Sequence, residues 1–247
     1  TRDILKKNQT ENDFYFFEDN LNDLPNRGLR LEKARNIYIE KIKSNIKLRD
    51  CNLLIVLDLD ESGNYKITND LIVKSINFLN SKNSIGAIFA NQYGTYYDMW
   101  TLRDKKYCQN DFWAEVLQNI AKKINHKNNI TSEILAEVKK EYIDSKTFTF
   151  DENLPPIQVK SAFGGFGIYK MEYVLKNKRY YEGTQTIDLV FKDNIKAKTK
   201  FQKCEHVNFN IGLIDQNLEL YILPYLINRE YLEVTFPPQA AVKLIIK

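Results

Sequence analysis

The chain has 247 residues, 43% hydrophobic and 28% charged, which excludes global disorder and allows one large domain or two small ones. Its 36 Lys and Arg against 32 Asp and Glu leave a formal charge of +4, too small and too interspersed for a dedicated nucleic-acid face, so no nucleic-acid partner is expected. Two histidines exclude a multi-histidine zinc site, three cysteines without CxxC spacing suit a reducing compartment such as the cytoplasm, and no apolar run approaches the ~20 residues of a transmembrane helix.

Taken in chain order, Phe14-Tyr15-Phe16-Phe17 reads as a buried strand, and Glu18 to Asp23 as a polar loop at its carboxyl end. Residues 29–47 set Leu31, Ala34, Tyr38 and Ile42 at helical spacing. Asn52 to Leu57 is a second strand, and its consecutive apolar side chains predict cover on both faces, as in a parallel sheet. A helix over 69–81, a short strand over Ile85 to Asn91, and helices over 111–126 and 131–144 follow. Pro155-Pro156 marks a loop before a strand near 157–162, and the carboxyl-terminal part is strand-like but ambiguous between helix and strand over 211–228. Strands alternating with helices predict one α/β domain over residues 1–247, with a mostly parallel mixed sheet flanked by helices. In such sheets ligands sit beyond the carboxyl ends of strands, so the polar clusters there are the places to look for chemistry.

Leu53 to Leu57 runs straight into Asp58-Leu59-Asp60. Side chains at i and i+2 of an extended chain point to one side, so Asp58 and Asp60 present two carboxylates together. Such a pair repels itself unless a cation neutralises it. Mg²⁺ or Mn²⁺ with oxygen ligands meets that need and leaves positions for substrate phosphates. A solvated acidic turn is the competing reading, and the strong strand before the pair favours function. Asp58-Leu59-Asp60-Glu61-Ser62 looks like the first motif of haloacid-dehalogenase-like phosphatases, with Asp58 as nucleophile, although no late Gly-Asp-x-x-x-Asp pair follows.

Asn91 to Asp104 packs Tyr93, Tyr96, Tyr97 and Trp100 beside Asp98, Arg103 and Asp104. Aromatic faces bind sugars and bases, and an arginine fork grips phosphate; an aromatic-rich structural loop accounts for the stretch equally well. Asp111 and Glu115 open the next helix, where simple capping competes with contact to an acceptor hydroxyl. Ser161 to Tyr169 holds three of nine glycines, and Gly164-Gly165 permits close backbone approach to a ligand or a tight turn between strands. Cys204-Glu205-His206 carries one of the two histidines; a lone histidine is more often structural than ligating. Arg30 and Arg35-Asn36 lie on the 29–47 helix, where solvated charges are the simpler reading of the spacing.

In this order, Arg35-Asn36, Asp58-Leu59-Asp60, Tyr97 to Asp104, Ser161 to Gly165 and Cys204-Glu205-His206 resemble GT-A nucleotide-sugar glycosyltransferases. The likeness is greatest to the capsule-type mannosyltransferases of fungi and their microbial and viral relatives. The resemblance implies a GT-A fold with a donor-nucleotide half over about 1–110 and an acceptor and catalytic half over about 111–247. It implies that Asp58 and Asp60 hold Mn²⁺ or Mg²⁺, with His206 as a late metal ligand. It implies a nucleoside-diphosphate sugar bound by Glu18, Asn20, Arg30, Arg35, Asn36, Asp58, Tyr97, Asp98, Ser161, Gly164 and Gly165, and a carbohydrate or other hydroxyl as acceptor. Arg103 would steady the leaving diphosphate, Asp111 and Glu205 are candidate bases for an inverting reaction, and the nearest resemblance favours a retaining one. Against this stand the phosphatase reading and a non-catalytic sugar-binding module built on the aromatic loop.

Overall fold

The structure, a computed structural model, describes residues 20–58, 67–96, 98–146, 148–229 and 243–245. The strand expected at Phe14 to Phe17 lies outside them.

Asn26 starts helix α1 (Arg27–Ser44), its side-chain oxygen accepting from the Leu29 amide at 2.9 Å. Asn45, extended at ψ 117°, ends it and caps the single turn α2 (Ile46–Arg49), so the helix expected over 29–47 is broken by one asparagine. Strand β1 (Leu53–Leu57), helix α3 (Asn69–Asn80) and strand β2 (Ile85–Gln92) follow. Helices α4 (Phe112–Lys123) and α5 (Ser132–Lys146) lead to β3 (Ile157–Val159) and β4 (Phe166–Lys170). The chain continues through α6 (Met171–Lys176), β5 (Thr184–Val190), β6 (Lys196–Gln202), α7 (Glu205–Ile214), β7 (Glu219–Arg229) and β8 (Lys243–Ile245). The ambiguous stretch at 211–228 thus divides into the end of α7 and most of β7.

A five-stranded sheet has the order β1-β4-β2-β7-β3. Among the described residues only β2 and β7 pair in parallel; β4 is antiparallel to both β1 and β2, and β3 to β7. The sheet is therefore mixed but mostly antiparallel, which corrects the expectation of mostly parallel pairing. A turn precedes β4, with the Phe166 amide donating to the Phe163 carbonyl at 3.2 Å. Gly164 and Gly165 stand at φ 63° and 81°, a left-handed conformation that costs little only without a Cβ. They turn β4 into the sheet from the edge at which β1 and β2 leave it. Because β1, β2 and β7 run one way, their carboxyl ends and the amino end of β4 share that edge.

The core has two layers on this sheet. Ala87 and Phe89 of β2 join Ile39 and Ile42 of α1, Tyr169 of β4 and Phe209 and Leu213 of α7 on one face. Ile88 and Ala90 join Leu79 of α3, Ile168 of β4 and Leu223 of β7 on the other. This alternation is the pleat of a strand covered on both sides, and all eight β2 residues are buried. That cover was expected of β1 and belongs to β2. Among the described residues β1 pairs only with β4, and its Ile55 and Leu57 are 47% and 41% exposed. A second, three-stranded sheet, β5-β6-β8, packs Leu189, Ala197 and Phe201 with Phe112, Trp113 and Val116 of α4.

Candidate functional site

The sheet edge at the end of β1 gathers charge. The Asp58 amide donates to the Gly165 carbonyl at 3.0 Å, which fixes the end of β1 against the diglycine turn. From α1, Arg35 reaches across with two arms. Its Nη2 meets Asp58 Oδ1 at 2.9 Å and its Nε meets Glu205 Oε1 at 2.6 Å. The guanidinium also lies 5.3 Å from the centre of the Phe163 ring and 5.9 Å from that of Tyr181. Burial opposes its charge, and the Glu205 and Asp58 carboxylates more than offset this, so its pKa stands well above the ordinary value.

Asp98 meets the same diglycine turn. Its carboxylate accepts from the Gly164 amide and the Thr101 hydroxyl, each at 2.8 Å. Desolvation lifts its pKa to about 6; these hydrogen bonds pull the other way, and the Asp58 charge adds to the rise. Gly164 is held from behind as well, because Asn228 on β7 donates to its carbonyl at 2.8 Å. A Cβ built on Gly164 would come within 2.5 Å of the Ala90 carbonyl oxygen, so the turn presses on β2 with no room for a side chain.

His206 lies at the inner end of this cluster. Its ring stacks on Phe163 with centroids 3.9 Å apart and meets the Tyr181 ring edge-on at 5.3 Å. Its Nε2 is 3.7 Å from Glu205 Oε1, yet both ring nitrogens are buried without a hydrogen-bond partner. Burial, then the charge of Arg35, holds its pKa well below the usual imidazole value, so the ring is neutral at pH 7. Cys204 adjoins through a 3.0 Å contact to the Thr101 hydroxyl.

The expected site residues thus separate into groups. Arg35, Asp58, Asp98, Gly164, Gly165, Glu205 and His206 come together. Arg103 and Asp111 form a buried ion pair with each other. Arg103 also donates to the carbonyls of Trp100 and Leu102, and Asp111 caps α4 by accepting from the Trp113 amide at 2.9 Å. Ser161 is buried, bridging by backbone to Arg103 and accepting from Asn210 at 3.0 Å. Asn36 exchanges hydrogen bonds with the backbone of Tyr181, both at 3.0 Å. Arg30 is exposed and turns back to Asn26, and Asn20 is exposed in a local turn with Asn22. Glu18, Asp60 and Tyr97 lie outside the described residues. Sequence reasoning passed over Tyr181 and Asn228, which fix Asn36 and Gly164; nothing in their local sequence announces those contacts.

The described side chains do not by themselves assemble a metal cradle: no group of three His, Cys, Asp or Glu among them is placed to hold an ion. Asp58 offers a carboxylate tied to a guanidinium, and His206 two unpartnered nitrogens. The Arg35 fork is engaged by Asp58 and Glu205 and the Gly164 amide by Asp98, so an anionic group would enter here by displacing one of these carboxylates. No known protein-family model matches the chain, and no curated protein is similar to it in sequence. No helix of the described residues is long and apolar enough to cross a membrane.

Proposed function

We propose that the chain is a metal-dependent glycosyltransferase of GT-A type, moving a sugar from a nucleoside-diphosphate donor to a glycan or other hydroxyl acceptor. The observation that carries this reading is the convergence of Arg35, Asp58, Asp98, the Gly164-Gly165 turn, Glu205 and His206 at one sheet edge. In this reading Asp58 and Asp60 hold Mn²⁺ or Mg²⁺, which would neutralise charge on the departing diphosphate. Arg35 serves the same end from the protein side. Its pairing with Asp58 and Glu205 keeps the guanidinium charged and pointed, ready to exchange a carboxylate for a phosphate oxygen. Asp98 orients the Gly164 amide, and the bare turn lets the donor approach the backbone. Glu205 is the better placed of the two candidate bases, because Asp111 is engaged by Arg103 and the α4 cap. Even so, Glu205 is buried against Arg35, and this suits a positioning carboxylate of a retaining reaction.

The test is ligand-induced thermal stabilisation. Nucleoside diphosphates with Mn²⁺ are expected to raise the melting temperature, and a ligand at 100 times its Kd adds about 2.7 kcal/mol. Asp58→Asn and Asp60→Ala are expected to abolish the rise. If no nucleotide shifts the melt with either metal, while a generic phosphoester is hydrolysed through a phosphorylated Asp58, the transferase reading gives way to the phosphatase one.

A further inference from the structure

Arg35 holds its two acids unequally. Nε and Nη2 lie along one edge of the guanidinium, the edge that takes both oxygens of a single carboxylate or phosphate in a bidentate pair. Here that edge is divided. Nε donates to Glu205 Oε1 at 2.6 Å and Nη2 to Asp58 Oδ1 at 2.9 Å. The Glu205 side chain is 2% exposed and that of Asp58 36%. Parting Glu205 from Arg35 would strand a buried charge, so Asp58, partly open to water, is the partner that can be exchanged. The guanidinium is fixed without Asp58 as well, by Glu205 on its Nε and by the rings of Phe163 and Tyr181 at 5.3 and 5.9 Å. One guanidinium against two carboxylates leaves the trio net negative.

We propose that Arg35 is a phosphate-binding arm held closed by Asp58, so that this sheet edge refuses a diphosphate until the Asp58 carboxylate is neutralised or drawn away. The closure acts twice. Asp58 occupies Nη2, and its charge repels an incoming phosphate. Once the carboxylate leaves, Nη2 is a donor already in position, and a phosphate oxygen takes the place of Oδ1 while Glu205 and the two rings keep the arm still. The inference rests on the transferase reading for what opens the arm: a divalent cation taken by Asp58 would release Nη2. The closed pair itself involves only Arg35, Asp58 and Glu205.

Isothermal titration calorimetry of the full chain with inorganic pyrophosphate tests it, in buffer freed of divalent metal by a chelating resin. The wild type is expected to bind weakly, and Asp58→Asn about tenfold more tightly. Asp58→Asn combined with Arg35→Lys, which keeps a cation for Glu205 and removes the fork, is expected to lose that gain. Circular dichroism melts check that each variant folds. If the double variant does not, phenylglyoxal labelling of the Arg35 peptide replaces it. Arg35 is then expected to react faster in Asp58→Asn than in wild type, and pyrophosphate to suppress the reaction. The proposal is overturned if Asp58→Asn gains less than about threefold in metal-free pyrophosphate affinity. It is also overturned if the gain survives Arg35→Lys, or if pyrophosphate leaves Arg35 labelling unchanged, since the gain would then come from the lost charge alone. The two readings fail separately. Nucleotides that leave the Mn²⁺-treated wild type unshifted would remove the transferase assignment, whereas the pyrophosphate titration uses neither nucleotide nor metal.

Discussion

Asp98 carries a charge state that a titration can read. Its folded pKa of about 6 exceeds the unfolded value of about 4, so between these pH values the folded chain binds the proton more tightly. Stability from this group therefore falls as pH rises from about 4 to about 6, by about 3 kcal/mol, and stays at the lower level above. His206 acts in the opposite sense, since its depressed pKa makes its contribution complete above about 6.5 and lost at lower pH. Asp98→Asn has no charge to lose, and His206 is common to both proteins. The melting temperature of the variant relative to wild type is expected to climb between about pH 4 and 6 and then level off; a difference independent of pH would show that Asp98 ionises normally. The two carboxylates on Arg35 predict a contrast. Asp58 is 36% exposed and Glu205 2%, so Asp58→Asn is expected to cost about 1 kcal/mol or less, and Glu205→Gln about 3 kcal/mol by urea unfolding. Nucleotide binding is expected to respond in the reverse order, with Asp58→Asn the more damaging. At Gly164 the left-handed φ and the nearby Ala90 carbonyl act together, and Gly164→Ala is expected to lose about 2–4 kcal/mol on denaturation.

At the scale of the element, α4 depends on one side chain for two tasks. Asp111 caps the helix and neutralises buried Arg103. Loss of a cap alone costs about 1 kcal/mol, whereas stranding a buried cation costs about 3–5 kcal/mol. Asp111→Ala is therefore expected in the larger range by chemical denaturation, and a loss near 1 kcal/mol would mean that Arg103 finds water or another acceptor. β1 and β2 differ in the same structural terms. Both are apolar runs that end in polar sequence, and only β2 is flanked by strands on both sides and covered on both faces. Asp58, at the end of β1, is correspondingly near solvent, its side chain 36% exposed.

For the whole molecule, two apolar layers grip β2 and β4 from opposite sides, while the second sheet and α4 form a separate cluster. Amide exchange is expected to be slowest in β2, tracking global unfolding, and faster in β1, which has one strand partner among the described residues. Equal protection of β1 and β2 would show a further partner covering β1 in solution. The site is assembled from α1, the end of β1, the Asp98 loop, the turn before β4 and the start of α7, so it is a product of the tertiary fold.

The sequence by itself determined the local features. The helical spacing of Tyr38 and Ile42, the apolar run ending at Asp58, the Asp111 cap and the conformational demand at Gly164-Gly165 are all written in neighbouring residues, and local geometry depends on neighbours. It also supplied the members of the charged cluster, each known by its type. What only the tertiary structure decided is pairing. Arg35 looked like a solvated helix charge until α1 laid it between Asp58 and Glu205, residues 23 and 170 positions away in the chain. Arg103 looked like a phosphate grip until Asp111 was brought against it. The antiparallel entry of β4 between β1 and β2 was hidden for the same reason, because strand order follows from which apolar faces bury one another across long separations, and no periodicity along the chain encodes that.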